Sequence, residues 1–317
     1  MSEHQGVPQR PPAYAYLLID SKDRYSTAQQ QVLGNVPAND FHIQRGNALL
    51  YGYFTRLAIT QVLFDWKLPT IVGGKNDTIL IYNSDADVSG QIIIPPGFYT
   101  PQALAAELQT LIQNEAPLGL PGMTVQYSSL NGGFVFESNG DDWYFQDPTL
   151  SGITVNDPAL QTTVLRTYAT IGVTATNLGP PNADQILAPP NMIYSRYVDI
   201  VSKEMTKYQN VKDNDTSPQN QLSQVVVRLY TTPPNSFIPT GFVPGAPPNA
   251  VDDTTALGDR QFTICVDYNT PKHIKWNPNE ALYNTDFQVY DEFGELLPWD
   301  NNLYPWEFCL TIVASET

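Results

Sequence analysis

The chain contains three histidines, His4, His42 and His273, and none has a neighbour that would make it a ligand or a base. His4 stands in a polar N-terminal arm, His42 in a predicted strand and His273 beside Lys272. No HExxH, CxxC or His/Cys cluster occurs, so the ligand spacing of a transition-metal site is missing. No GxSxG occurs either, and neither cysteine has a His partner suited to acyl transfer. Gly73-Gly74-Lys75 has the ending of a phosphate loop without the rest of the pattern, and it reads as a loop between two strands. Two carboxylates suffice for glycoside hydrolysis, and Asp141-Asp142 beside Trp143-Tyr144 is the best candidate pair. The plainer reading, a polar turn before a strand whose aromatics pack, is preferred. Asp213-Asn214-Asp215-Thr216 begins like a calcium loop but lacks the Gly and the closing Glu. An assembly-linked divalent ion there, or at Asp252-Asp253, is the minor reading. The stripe Tyr53/Phe64/Trp66 reads as core rather than ligand platform. No catalytic, cofactor-binding or metal-binding residue is therefore assigned, and an enzyme is not expected.

The elements that would position any site are mostly strands. Charged residues make up 15% of the 317 residues, against about 25% in an average soluble domain. The 27 Pro, 20 Gly, 18 Tyr and 13 Phe describe a strand-rich protein with long loops. The stretch GYFTRLAITQVLFDWKLPTI places Tyr53, Thr55, Leu57 and Ile59 on one face at period two. The apolar face then shifts to Val62, Phe64 and Trp66, which predicts a β-bulge near Thr60–Gln61. Thr78–Tyr82 and Gln91–Pro95 form a predicted hairpin. Thr100 as N-cap and Pro101 at the first helical position open a helix over Pro101–Gln113, with Leu104, Leu108, Leu111 and Ile112 on one stripe.

Eight strands are predicted outside one large interruption: Phe41–Arg45, Tyr53–Trp66, Thr78–Tyr82, Ile193–Glu204, Gln224–Thr231, Gln261–Tyr268, Asp286–Tyr290 and Trp306–Ala314. The last two read as a hairpin turned at Asp291-Glu292-Phe293-Gly294. Residues 1–40 read as an arm with a short strand, Ala13–Asp20. Residues 41–82 and 192–317 form a discontinuous body, an all-β, single eight-stranded jelly-roll sandwich. Residues 83–191 form an inserted small α+β subdomain, with a hairpin Thr124–Glu137 turned at Asn131-Gly132-Gly133 and a strand near Thr163–Val173. The Pro-rich loop Thr232–Gly258 is expected to be exposed, mobile or clamped by a neighbour.

The formal charge is −16, and it is uneven. Residues 1–75 carry 7 Lys/Arg against 5 Asp/Glu, and the rest carry 9 against 27. So acidic a body repels phosphate backbones, and direct nucleic-acid binding by it is not expected. The first residues lack the apolar core of a signal peptide, no run is long enough to span a membrane, and an intracellular origin is expected. Cys265 and Cys309 alternate with apolar neighbours and read as buried free thiols, with a disulfide open if their strands pair.

Three segments, in order, resemble the minor capsid (penton) proteins of virophages, polinton-like viruses and related large DNA viruses. They are YLLIDSKDRYS with the FHIQ strand, the block GYFTRLAITQVLFDWKLPTI…NDTILIYN…IIIPPGFYTPQALAAELQTLI, and the closing DFQVYDEFGELLPW…WEFCLTIVAS. About Leu118–Asn191 matches nothing. The resemblance implies an upright single jelly roll, assembled inside the host cell into a homopentamer that plugs the icosahedral vertex of the virion. It also implies contact with a double-jelly-roll major capsid protein and no cofactor. On this reading the near-neutral first 75 residues face the capsid interior or neighbouring capsomers. The acidic insertion faces outward, where a host glycan or receptor is a candidate partner. Two other readings stand beside it: a carbohydrate-binding sandwich (lectin or receptor-binding fibre head) using Trp143, and a β-sandwich glycosidase using Asp142.

Overall fold

A computed structural model describes residues 13–25, 36–44, 47–149, 157–179, 184–208, 224–231, 262–278, 280–300 and 302–316. In chain order its elements are β1 (Tyr14–Asp20), β2 (Asp40–Gln44), β3 (Arg56–Trp66), β4 (Thr78–Asn83), β5 (Val88–Ile93) and α1 (Pro101–Asn114). Then follow β6 (Thr124–Ser128), β7 (Gly133–Glu137), β8 (Trp143–Phe145), α2 (Pro158–Ile171) and β9 (Asp184–Ile186). The chain closes with β10 (Tyr197–Val201), α3 (Lys203–Thr206), β11 (Val225–Tyr230), β12 (Phe262–Asp267), β13 (His273–Lys275), β14 (Asn284–Tyr290) and β15 (Phe308–Ser315). It divides into two compact units: Met1–Lys67 with Ser195–Pro233 and Phe262–Thr317, and Leu68–Tyr194 with Pro234–Gln261.

The first unit is a sandwich of two antiparallel sheets, ordered β1-β15-β3-β12 and β11-β10-β14-β2, with β13 pairing β3 beyond β12. The pairs are nested: β1 with β15, β2 with β14, β3 with β12 and β10 with β11. First with last, second with next to last, and so inward, is the pairing of one long hairpin rolled over itself. That is the strand order of a jelly roll. The expected jelly-roll-like sandwich is present, with β13 as a ninth, short strand and two changes of membership. The segment Ala13–Asp20, expected in the arm, supplies the edge strand β1. The segment Thr78–Tyr82, expected in the body, pairs only within the second unit as β4.

The bulge falls where the phase shift put it. Thr311 pairs with Gln61 and Ile312 with Ile59, so the ladder with β15 skips Thr60, whose hydroxyl donates to Thr311 O at 3.3 Å. The extra residue lets Leu57, Ile59, Val62, Phe64 and Trp66 all be buried although period-two alternation alone would turn half of them outward. Phe41 and Phe287 of one sheet lie 5.6 Å apart and meet Phe308 of the other at ring-centroid distances of 5.8 and 5.9 Å, and Phe64 stacks on Trp306 at 5.2 Å. The expected hairpin between the last two long strands does not form. Asp291 does close the turn, its side chain accepting from the Phe293 and Glu295 amides, and Gly294 sits at φ 77. After the single bridge Tyr290–Leu296, however, the chain crosses to the opposite sheet. β14 pairs β10 and β2, and β15 pairs β1 and β3.

One buried ion pair ties the end of β1 to the start of β15. The Arg24 guanidinium, with a fully buried side chain, binds Glu307 through two nitrogens at 2.7 and 2.9 Å. It also donates to the carbonyls of Ser21 (2.6 Å) and Val36 (2.8 Å). Ser21 Oγ donates to the same Glu307 carboxylate and accepts from the Phe308 amide.

The second unit packs α1 and α2 on two three-stranded sheets, β5-β4-β8 and β6-β7-β9. Thr100 caps α1 as expected, accepting from Ala103 N at 3.0 Å, and Leu104, Leu108 and Ile112 are buried. The Thr124–Glu137 hairpin forms, with Gly132 at φ 68. The expected strand near Thr163–Val173 is instead the helix α2. Asp157 caps it, Pro158 takes its first position and Gly172 ends it at φ 88. Leu160, Val164, Tyr168 and Ile171 recur at helical spacing into the core, and that stripe outweighs the β-branched composition that suggested a strand.

Replacing Arg24 with Met leaves the Glu307 carboxylate half-buried without its cation, so urea denaturation should show a loss of about 3 kcal/mol. The double variant Arg24→Met/Glu307→Leu should recover most of that loss. A double variant no more stable than the single one would refute this reading of the pair.

Candidate interaction surface

The structure scatters the residues with chemical potential. His42 lies on the exposed side of β2 and His273 on that of β13, in different sheets. His4, Asp213–Thr216 and Asp252-Asp253 lie outside the described residues. Among the described residues no three His, Cys, Asp or Glu gather as a metal site would need. Two amides of the Gly73-Gly74-Lys75 loop are engaged, Gly74 N donating to Asp77 at 2.7 Å and Lys75 N to Val72 O at 3.1 Å. A phosphate would meet a carboxylate there, not a ring of free donors.

Asp141-Asp142 is a turn before β8, where Asp142 N donates to Asp85 at 2.9 Å. Trp143 is fully buried, packed against Phe136 and Phe145 at 5.7 and 5.3 Å. An indole in the core offers no face to a sugar, so the platform of the carbohydrate and glycosidase readings is a packing element. Phe64 and Trp66 are core, as expected. Tyr53 precedes the strand and is half exposed.

The cysteines depart from expectation. Both stand opposite Leu63, Cys265 on β12 and Cys309 on β15, on the outer side of the sheet. Cys265 is exposed and Cys309 half-buried, and both are free. With β3 between them their backbones are two strand spacings apart, about 9–10 Å, beyond the ~7 Å limit for a disulfide. Burial, and then the adjacent Asp20 carboxylate, push the Cys309 thiol up to about 11.

Sequence reasoning found the strand Ala13–Asp20 but missed its place as β1, an edge strand of the sandwich. Among the described residues it pairs only β15, and no described strand lies along its other edge. Its outward side chains Tyr14, Tyr16 and Leu18 are 61, 74 and 72% exposed. Its inward ones are Ala15, Leu17 and Ile19, so it is apolar on both faces, and no charge or proline interrupts Tyr14–Ile19. Proteins normally blunt such an edge with Lys, Pro or a bulge, because it templates pairing with another chain. The register carries the apolar surface inward from Tyr16 to Val313 on β15. The six uncharged residues were legible in the sequence, but their place at the sheet edge was not.

The chain is similar to the crystal structure of selenomethionine-labelled mavirus penton protein. That likeness covers 96% of this chain and 99% of that one, at 10% sequence identity and a TM-score of 0.47. No family model matches the chain, and no curated protein matches it by sequence.

At pH 8 an alkylating reagent should label Cys265 first. The Cys309 thiolate fraction should lie about a hundredfold below that of an ordinary thiol. Its labelling rate should climb about tenfold per pH unit toward pH 11, and Asp20→Asn should speed it at fixed pH. Equal labelling of both thiols at pH 8, read by peptide mass spectrometry, would contradict this placement.

Proposed function

We propose that this protein is a structural component of a viral capsid, a penton protein whose jelly-roll unit forms homopentamers at the icosahedral vertices. The observation that carries the reading is the open, two-faced apolar edge β1 in a single nested jelly roll. A surface of this kind on one flank of a subunit, meeting a different flank of an identical copy, is a heterologous contact, and such contacts close into a ring when the rotation suits. The order of the three sequence segments supports the same assignment. The neighbouring capsomer in this reading is a double-jelly-roll major capsid protein. The uneven charge assigns the second unit a separate task. Leu68–Tyr194 holds two cations, Lys75 and Arg166, against eleven carboxylates, a composition suited to an exposed platform for a host glycan or receptor and unsuited to packaged nucleic acid.

Native mass spectrometry and light scattering test this directly. Subunits of 35.2 kDa should appear at about five times that mass, as a closed five-membered ring requires. The variant Tyr16→Glu/Leu18→Glu should run as a monomer with an unchanged thermal transition, because both side chains are already exposed. A wild-type trimer, or a pentamer that survives both substitutions, would refute the reading.

A further inference from the structure

The jelly-roll unit carries a cleft where the chain enters β3 and leaves β13. The two segments run antiparallel: Trp276 N donates to Thr55 O at 2.8 Å and Leu282 N to Leu50 O at 2.9 Å. Between them opens a space of about 400 Å³ lined by Tyr51, Gly52, Tyr53, Pro278, Glu280 and Ala281. That is near the small end of the ~300–1,000 Å³ range of ligand clefts. Gly52 shapes the wall. At its φ of +149° a Cβ would meet the Phe54 ring at 2.6 Å, so the glycine lets Phe54 pack beneath the loop. Tyr51 and Tyr53, on either side of it, stand 83 and 52% exposed. Unlike Phe64 and Trp66, these two rings are left outside the core.

The polar side of the cleft is held in place. The Trp276 indole donates to Glu280 O at 3.0 Å. The Glu280 carboxylate accepts from the Lys207 ammonium at 2.5 Å, and the same ammonium reaches Glu204 at 3.4 Å. Lys207 Nζ lies 5.4 Å from the ring centroids of both Tyr208 and Trp276, within cation–π reach. These contacts select a ligand by charge. A cation would have to displace Lys207 from Glu280. An anion would meet two carboxylates balanced by one ammonium. A neutral hydroxyl disturbs neither, because a carboxylate has about four lone-pair sites and an ammonium three donors, so both keep capacity while paired. The hydroxyl can donate to the one and accept from the other. The tyrosines add a second requirement. Their ring faces are the negative part of the quadrupole and attract the weakly positive C–H groups of a ligand. A ring with hydroxyls around its edge and C–H groups on its face meets both requirements, and a pyranose sugar is such a ring.

We propose that this cleft binds a neutral pyranose sugar, its C–H face against Tyr51 and Tyr53 and its hydroxyls at the Glu280 carboxylate and the Lys207 ammonium. The site lies wholly within the jelly-roll unit and does not depend on a glycan platform in the second unit.

Saturation-transfer NMR on the full chain tests the assignment with three neutral probes: methyl β-galactoside, methyl β-glucoside and methyl β-N-acetylglucosaminide. At least one should show transfer to its ring C–H protons. The affinity for that probe should fall about tenfold in Tyr51→Ala/Tyr53→Ala, where the stacking faces are gone. It should fall about tenfold in Glu280→Gln as well, where a charge-assisted hydrogen bond is lost. The tyrosine variant should keep its thermal transition, because both rings are already exposed. N-acetylneuraminic acid and protonated glucosamine should bind more weakly than the neutral probe. No transfer to any of the three probes, or tighter binding of either charged sugar, would overturn the proposal. Unchanged affinity in either variant would overturn it too, because the sugar would then sit elsewhere on the chain.

Discussion

The jelly-roll unit depends on the register of β3. This strand is central in its sheet, pairing β15 on one side and β12 and β13 on the other, so an error in its phase would reach three neighbours at once. Without an extra residue at Thr60 its two apolar halves would face opposite sides of the sheet. The bulge brings them together, and the ladder is not lost there: the Tyr268 amide donates to Thr60 O at 2.8 Å on the side away from β15. The same phase sends Gln61, Leu63 and Asp65 outward, which is why two cysteines registered opposite Leu63 face away from the core. The bulge thus decides both what the core contains and what the outer sheet presents.

Much of this was legible locally, and the errors share a cause. Bulge, helix cap and hairpin turns are set by residues within a few positions of one another, and Thr60, Thr100 and Gly132 behave as their neighbours require. Which strand lies beside which is set by pairings between residues about 20–300 positions apart. The Asp291–Gly294 turn is chemically sound, yet it closes only one bridge before the chain leaves for the other sheet. A turn signal says that the chain reverses, not that the strands on either side become partners. The misreading of α2 has a different origin. Thr162, Thr163, Val164, Thr167 and Thr170 favour strands by composition, but Thr163, Thr167 and Thr170 can return their hydroxyls to carbonyls four residues back, which satisfies them inside a helix.

The surface was less legible than the core. Chemistry-bearing residues attract attention by type, and Asp141-Asp142-Trp143-Tyr144 looked like a site for that reason. Burial decided otherwise, and no local pattern separates an aromatic that packs from one that binds. The edge strand carried the opposite risk. Tyr14–Ile19 contains nothing reactive, and its meaning depends on whether another strand covers it. Only the nested topology shows that the first strand of such a roll is an edge in its own sheet.

An exposed apolar edge on a protein of charge −16 is a balance between two ranges of force. Carboxylate repulsion between copies is screened beyond about 8–10 Å at ordinary ionic strength, whereas strand-edge and apolar contacts act only at van der Waals distance. Carboxylates flank β1 only at its ends, its outward residues before Asp20 being two tyrosines and a leucine, whereas Leu68–Tyr194 of the second unit holds eleven against two cations. Random encounters therefore meet repulsion first, and only an approach that brings the uncharged edge against its complement gains enough contact to offset it. The charge thus holds copies apart at long range while the sandwich still presents one uncharged, apolar edge strand.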